Sequence, residues 1–168
     1  MLDQVKPQEK RMPDLKPGAK APAFDLPTDS GERVRLSKLK GTLVVLYFYP
    51  KDDTPGCTQE ALSFSADAKA FAKAGALVIG ISKDTAASHH KFKAKHGLDV
   101  VLASDETGEI LGAYDVWKEK SMYGRKFMGI ERSTFLIGRD GKVVKIWRKV
   151  KVAGHVADVL TEVNSIKE

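Results

Sequence analysis

The sequence predicts an α/β protein in which a mixed central sheet is flanked by helices. Short apolar runs rich in β-branched and aromatic residues alternate with segments whose apolar residues recur at helical spacing, which is typical of strands linked by helices. The last two runs differ, because only a turn signal at residues 138–141 separates them, and so short a connection makes an antiparallel hairpin. At 168 residues, with 42% hydrophobic and 30% charged residues, the chain fits one domain with an ordinary core.

The first part of the chain divides into a leader and a hairpin. Residues 1–17 are polar and contain three prolines, so we expect a mobile leader ahead of a domain over residues 18–168. Within that domain, residues 23–26 and 34–36 flank a turn signal at residues 29–31. This arrangement predicts an N-terminal hairpin.

A central strand and a long helix follow. Residues 42–49 form a continuous β-branched and aromatic run, the pattern of a strand buried on both faces. Thr54 suits the N-cap of the next helix, where its hydroxyl would accept a hydrogen bond from a helix N–H, and Pro55 suits the first helical position. Apolar residues then recur at helical spacing until Gly75 ends the helix.

The remaining elements follow from the same patterns. We expect strands over residues 76–82, 100–102, 130–137 and 142–150, and helices over residues 86–96, 106–113 and 153–166. Alternating strands and helices that end in an antiparallel hairpin and a closing helix are typical of a thioredoxin-like fold. A doubly wound nucleotide-binding fold is the alternative, but no G-x-G-x-x-G follows a strand and no G-x-x-x-x-G-K-[ST] occurs.

The charge of the chain does not indicate nucleic-acid binding. The net charge is +6, from 28 Lys+Arg against 22 Asp+Glu, and it is spread thinly along the sequence. The densest basic group lies within residues 142–151 on an expected strand, and we interpret it as a solvated strand face rather than a phosphate-binding stripe. We expect no nucleic-acid partner.

Apolar segments and cysteine usage predict a cytoplasmic protein. The longest apolar stretch, residues 43–49, is far too short to span a bilayer, so we expect no membrane partner. The first residues show no apolar segment after their charges, so we expect no secretory signal. One unpaired cysteine excludes an internal disulfide framework, which fits a reducing compartment.

Cys57 is the single cysteine of the chain, and it falls in the first turn of the helix that follows Thr54. Backbone N–H groups at a helix start lack intrahelical partners and favour negative charge, so a cysteine there tends to be a thiolate. A helix start contributes only about 0.3–2 kcal/mol to a nearby anion, which does not fully ionise a thiol at neutral pH. We therefore expect a fixed cation near the sulfur.

The residues around Cys57 match a known pattern. Pro50-x-x-x-Thr54-x-x-Cys57 after an aromatic strand is similar to the active-site signature of peroxiredoxins. Segments similar to the bacterioferritin-comigratory (Q-type) branch of that family follow in the right order at residues 18–24, 56–61, 122–124, 128–136 and 147–155. The resemblance covers about residues 15–165, nearly the whole chain.

The resemblance implies a thiol-dependent peroxidase that reduces hydrogen peroxide and organic hydroperoxides without a bound cofactor. Cys57 would be the nucleophile and would become a sulfenic acid. Thr54 and Arg132 would bind and polarise the peroxide, and Pro50 would shield the sulfur from water. By its residues alone, Arg132 would be an ordinary strand residue. Glu60, one turn after Cys57, would either orient Arg132 or favour the helix N-terminus.

Other polar and aromatic residues carry weaker signals. The four histidines show no metal-ligand spacing, and His89 and His90 are adjacent, so they point to different sides of a helix. We interpret the histidines as a solvated helix surface and expect no metal. Trp117, Met122 and Tyr123 would either rim the mouth of the site or belong to a loop packed on the core.

The chain departs from the Q-type pattern at the resolving cysteine. Many members carry a second cysteine five residues after the first, where this chain has Leu62, and others carry it on the next helix, where residues 89–96 contain none. Oxidised Cys57 would then be restored by thioredoxin, by a small thiol, or through Cys57 of a second subunit in a disulfide-linked dimer. The resemblance otherwise implies a monomer.

Two other functions stay open from the sequence. A thiol–disulfide oxidoreductase would share the fold but generally uses Cys-x-x-Cys, and Glu60 stands at the second position here. The non-enzymatic alternative is a peroxide sensor or holdase in which oxidation of Cys57 alters a partner interface.

Overall fold

The computed structural model describes residues 15–166, so residues 1–14 of the predicted leader lie outside the described residues. The strands are β1 Asp25–Pro27, β2 Arg33–Arg35, β3 Leu43–Phe48, β4 Ala76–Ser82, β5 Val101–Ser104, β6 Trp117–Met122, β7 Arg125–Ile130, β8 Ser133–Ile137 and β9 Val143–Trp147. The helices are α1 Pro55–Ala66, α2 Ala68–Lys73, α3 Ala86–His96, α4 Glu109–Ala113 and α5 His155–Asn164. Within residues 15–166, every helix is too short or too polar to cross a bilayer.

A five-stranded sheet in the order β5-β4-β3-β8-β9 forms the centre of the molecule. Strands β3, β4 and β5 run parallel, whereas β8 pairs antiparallel with both β3 and β9. The predicted mixed sheet is therefore confirmed. The predicted N-terminal hairpin is also confirmed, because β1 and β2 pair antiparallel.

Two apolar clusters pack against opposite faces of the sheet. Side chains alternate along β3, so that Val45 and Tyr47 enter one cluster while Leu46 and Phe48 enter the other. Helices α1, α2, α3 and α5 contribute to the first cluster, and the N-terminal hairpin and α4 contribute to the second. All six residues of β3 are buried, as their β-branched and aromatic run predicts.

Two predicted elements are each divided in the structure. The helix predicted as far as Gly75 ends at Ala66, because the Asp67 N–H bonds to the Phe64 carbonyl three residues back and tightens the last turn. The helix then restarts as α2. The strand predicted over residues 130–137 is also two strands, since β7 ends at Ile130 and β8 begins at Ser133.

The antiparallel hairpin of β6 and β7 was not predicted from the sequence. Ile130 is the one buried residue in the two strands. Because neither strand buries one of its faces, the sequence shows no alternation of apolar and polar residues there. The turn joins them through Tyr123 and Gly124, whose φ angles are 53° and 77°. Such a turn favours Asn-Gly or Asp-Gly. Because this chain has Tyr123 before Gly124, the dipeptide did not indicate a hairpin turn.

Candidate active site

The order of the strands brings the distant residues of the site together. The chain leaves β3 after Phe48, passes through residues 49–54 and enters α1. In the antiparallel pairing of β3 with β8, Phe48 lies opposite Ser133. Arg132 immediately precedes Ser133, so the pairing places it beside the loop and the start of α1. Arg132 lies in the connection between β7 and β8, which corrects the prediction that it sits on a strand.

Cys57 is the third residue of α1 and is 1% exposed. The N–H groups of the first helical turn have no partner within the helix, and they favour a negative sulfur. The prediction that the thiol lies at a helix start is confirmed. Burial removes bulk water from the sulfur, so a charged thiolate also needs a cation in direct contact.

Arg132 provides that cation. Its Nη2 lies 3.5 Å from the Cys57 sulfur. Burial by itself would lower the pKa of Arg132, but the negative charges of Glu60 and Cys57 outweigh burial and raise it, so the guanidinium stays protonated. Gly56 leaves room for this contact, because a Cβ at that position would lie 3.1 Å from Arg132 Nη2.

Glu60 orients Arg132 from the opposite side of the guanidinium. Its Oε1 accepts a hydrogen bond from Arg132 Nη1 at 2.6 Å, while its Oε2 has no hydrogen-bond partner among the described residues. Burial raises the pKa of Glu60 to about 7, against the opposing effect of the positive Arg132. Of the two sequence interpretations, the structure favours the orienting role, since the 2.6 Å bond fixes the guanidinium beside the sulfur.

Thr54 and Pro50 lie on the loop that precedes α1. Thr54 holds the extended N-cap conformation, but its Oγ1 donates to the Lys51 carbonyl at 2.8 Å and does not cap the helix. The predicted capping bond is therefore wrong. Since the hydroxyl hydrogen is already used, the Thr54 oxygen can act as an acceptor. Pro50 is half-buried and has no N–H, so it adds no donor that would hold water.

The hairpin of β6 and β7 adds Lys120, which the sequence analysis missed, and shows where Met122 and Tyr123 lie. Burial and the nearby Arg132 cation lower the pKa of Lys120, while Cys57 raises it, so Lys120 lies within the electric field of the site. Met122 and Tyr123 are exposed at 57% and 96%, which excludes the alternative of a loop packed on the core.

The interpretation of all histidines as a solvated surface is wrong for His89 and His155. His89 is fully buried beside Asp52, and His155 is buried with its Nε2 2.8 Å from the Thr134 hydroxyl. Burial lowers the pKa of His155 to about 4, so this ring is neutral at pH 7. Polar partners far away in sequence satisfy both rings, and such partners cannot be recognised from helical periodicity.

One group of side chains near the loop has the composition of a metal site. Ligand atoms of Asp52, Asp84 and His89 lie within 4.8 Å of one another. Hydrogen bonds already occupy these atoms, since Asp84 accepts from Ser82 and from the Asp52 N–H, and Asp52 accepts from His89. The expectation that the chain binds no metal stays a prediction.

A thiol held at a buried helix start by an arginine, on a thioredoxin-like sheet, defines the class as a thiol-dependent peroxidase. Comparison with known proteins agrees. The model of the AhpC/TSA family matches residues 17–146. Peroxiredoxin Bcp of Bacillus subtilis is 50% identical over 151 residues, which are 90% of this chain and 96% of that protein.

Solved structures are similar as well. The bacterioferritin comigratory protein of Xanthomonas campestris, in a study of its alkyl peroxide reduction, gives a TM-score of 0.84 at 45% identity over 89% of this chain and 98% of that chain. A mutant form of PrxQ of Xylella fastidiosa gives a TM-score of 0.86 at 39% identity, over 91% of this chain and 98% of that chain. The chain therefore belongs to the AhpC/TSA family, the peroxiredoxins, and within it to the bacterioferritin-comigratory (Q-type) branch.

The regions where the resemblance would place a resolving cysteine hold other side chains. Leu62 is 38% exposed on α1. Within residues 89–96 on α3, the Lys93 ammonium pairs with Asp29 at 2.8 Å. Neither side chain can form a disulfide with Cys57.

Proposed function

We propose that this protein reduces hydrogen peroxide and organic hydroperoxides at Cys57 in a one-cysteine cycle that an external thiol completes. The observation that supports the proposal most directly is the 3.5 Å contact between Arg132 Nη2 and the Cys57 sulfur at the buried start of α1. This contact joins an ionisable sulfur, a fixed cation and the start of a helix in one water-poor site. Those are the requirements for attack by a thiolate on a peroxide.

The oxidation step transfers two electrons from sulfur to the peroxide. The Cys57 thiolate attacks the terminal oxygen of ROOH, so that a sulfur–oxygen bond forms while the oxygen–oxygen bond breaks. The alkoxide leaves and takes a proton from solvent to become ROH, or water when R is hydrogen. Cys57 remains as a sulfenic acid.

The surrounding groups align the peroxide and stabilise its developing charge. Arg132 donates to the peroxide oxygens as the bond breaks, and Glu60 keeps the guanidinium in place for this. Thr54 accepts the hydrogen bond of the peroxide OH, since its own hydrogen goes to the Lys51 carbonyl. Pro50 shields the sulfur from water that would compete for the thiolate.

Recycling needs thiols from outside the chain, because Cys57 is the only cysteine. A reductant thiol attacks the sulfenic acid, releases water and forms a mixed disulfide. A second thiol then releases Cys57 and leaves the reductant oxidised. Thioredoxin or a small thiol fits this role. Attack by a thioredoxin thiol or by Cys57 of a second copy requires the first turn of α1 to open, since Cys57 is 1% exposed.

We also propose that the protein acts as a monomer in the cytoplasm, without a nucleic-acid or membrane partner. A single thiol that must return to its reduced form fits a reducing compartment. Two members of the basic group within residues 142–151 are engaged within the protein, since Lys145 pairs with Glu162 at 3.2 Å and Arg148 donates to the Asp115 carbonyl at 3.0 Å. These contacts support a structural use of the positive charge.

The test measures peroxide consumption by the wild type and by Cys57→Ser, with thioredoxin plus its reductase in one set and glutathione in the other. We expect Cys57→Ser to consume no peroxide above background with either reductant. Equal consumption by the two proteins would refute the proposal. A non-reducing gel of the oxidised wild type distinguishes a sulfenic acid from a mixed disulfide or a Cys57-linked dimer.

A peroxide sensor or holdase is a second candidate, favoured by the absence of a second cysteine in the chain. Fast stoichiometric oxidation of Cys57 with very slow turnover by every reductant tested would select it. A thiol–disulfide oxidoreductase, in contrast, would reduce insulin, and we expect no such activity.

A further inference from the structure

The loop between β3 and α1 holds an unfavourable backbone conformation. Asp53 has a φ of 60°, in the left-handed region that non-glycine residues rarely adopt. Its carboxylate is held from α3, where Lys95 Nζ lies 2.7 Å and His96 Nε2 lies 2.8 Å away. Since Thr54 follows directly, contacts from α3 help to set where the Thr54 hydroxyl stands.

Asp52, the residue before, is bound to α3 more strongly and away from water. Its side chain is 4% exposed and accepts hydrogen bonds from Tyr49 at 2.6 Å, from Ser88 at 2.8 Å and from His89 at 2.8 Å. Its N–H donates to the Asp84 carboxylate at 2.9 Å. Burial alone would raise the pKa of Asp52, but these hydrogen bonds outweigh burial and lower it, so the carboxylate stays charged.

His89 is the buried counterpart of this carboxylate. The ring is fully buried, with Nδ1 against Asp52 and Nε2 3.0 Å from the Ala103 carbonyl. Both nitrogens therefore lie within hydrogen-bond distance of oxygen atoms on other elements. The Asp52–His89 contact is a buried hydrogen-bonded link between α3 and the loop.

A buried charged carboxylate is weak support for stability as such, because the cost of its desolvation offsets what its hydrogen bonds contribute. What it does provide is a defined geometry. Among residues 15–166, neither Asp52 nor His89 hydrogen-bonds to Cys57, Arg132 or Glu60. The covalent route from Asp52 to the site is the loop itself, since Asp52 lies two residues from both Pro50 and Thr54.

We propose that His89 is a positioning residue for the peroxide reaction, acting through Asp52 to hold the loop that carries Pro50 and Thr54. The inference rests on the proposed function of Cys57. A loop released from α3 leaves the thiolate intact, because Arg132 and the start of α1 hold the sulfur. It misplaces the groups that align and shield the peroxide, and displacement by about 1 Å can slow a reaction about 100-fold.

This difference gives a readout that a general loss of stability would not move. Reaction with peroxide depends on the thiolate and on the aligned loop, whereas alkylation by iodoacetamide depends on the thiolate and on access. We expect His89→Gln to lower the second-order rate constant for Cys57 oxidation by hydrogen peroxide about 10- to 100-fold. The alkylation rate of Cys57 should be unchanged or higher, with the same midpoint in its pH profile.

The adjacent His90 supplies a matched control, since it carries the same side chain on the same helix but is exposed. His90→Gln should oxidise within about twofold of the wild type, the range expected of a surface substitution. Equal oxidation rates in His89→Gln and wild type would overturn the proposal. A parallel fall in oxidation and alkylation would also overturn it, because it would indicate a structural role alone.

If His89→Gln does not fold, Ser88→Ala takes its place, because it removes only the 2.8 Å bond to Asp52. We then expect a selective loss of peroxide reactivity of about threefold or more, because Asp52 loses one of its three side-chain hydrogen bonds, and no selective loss would reject the proposal. If peroxide does not oxidise Cys57 in the wild type, the proposed function itself is refuted. Failure of the proposed function is thus distinguishable from failure of the proposal for His89.

Discussion

Replacing Glu60 by glutamine tests how burial and the Arg132 pair balance at the centre of the site. Glu60 is fully buried, with one oxygen 2.6 Å from Arg132 Nη1 and the other without a hydrogen-bond partner among the described residues. Glutamine keeps the shape and an oxygen acceptor for Arg132. It removes the negative charge, and with it the response of this position to pH.

The expected magnitude follows from the pKa of Glu60, which is about 7 in the folded protein and 4.5 in a free side chain. At ~1.36 kcal/mol per pKa unit, the difference corresponds to about 3 kcal/mol. Because the folded-state pKa is the higher one, the stabilisation from protonated Glu60 is fully present below pH 4.5 and is lost as the pH rises through about 7. The wild type should therefore lose about 3 kcal/mol relative to Glu60→Gln across this interval.

Urea unfolding followed by tryptophan fluorescence gives the free energy of unfolding of both proteins at several pH values from 4.5 to 8. Glu119→Gln, which removes an exposed carboxylate paired with Lys126, reports the background change. A difference between wild type and Glu60→Gln that stays constant with pH, or grows in favour of the wild type, would refute the reasoning. It would show that the attraction of Arg132 outweighs burial at Glu60.

Three further predictions follow from single contacts. Arg132→Met should slow oxidation of Cys57 by peroxide about 100-fold with the fold intact, since it removes the cation at 3.5 Å from the sulfur. Stopped-flow oxidation rates no slower than those of the wild type would contradict the role of Arg132. Tyr47→Phe should leave the free energy of unfolding unchanged or higher, because the buried Tyr47 hydroxyl has no partner among the described residues. Tyr49→Phe should lower the free energy of unfolding by about 1.5–3 kcal/mol, because it removes the 2.6 Å bond to Asp52. Equal losses for the two variants in urea titrations would contradict this difference. Burial lowers the pKa of His155 to about 4, so the contribution of His155 to stability is present above pH 6.5 and is lost as the pH falls through 4. The melting temperature of the wild type should therefore drop more on acidification than that of His155→Gln. Parallel curves of melting temperature against pH for the two proteins would contradict this prediction.

Residues close together in the sequence could be assigned to the site without the structure. Pro50, Thr54 and Cys57 lie within eight residues at the junction of a strand and a helix, and the physics of a helix start is local. The predicted capping bond of Thr54 was still wrong. Its hydroxyl donates to the Lys51 carbonyl and accepts from no helix N–H.

Residues far apart in the sequence were predicted by resemblance or not at all. Arg132 was expected at the site from its motif alone, and the reason is tertiary, because the pairing of Phe48 with Ser133 sets it beside the loop. His89 was expected on a solvated surface because helical periodicity does not reveal a carboxylate 37 residues earlier. The hairpin of β6 and β7 stayed hidden, since exposed strands have no apolar alternation.

The sequence by itself determined the α/β class, the order of the main elements and the position of a lone thiol at a helix start, because apolar periodicity and helix-start chemistry act over a few residues. Tertiary structure alone decided which charges meet that thiol and what holds its loop. Arg132 reaches Cys57 and Glu60 through strand pairing, and Asp52 reaches His89 through the packing of α3. These contacts join segments far apart in the chain, so apolar periodicity and helix-start chemistry do not reveal them.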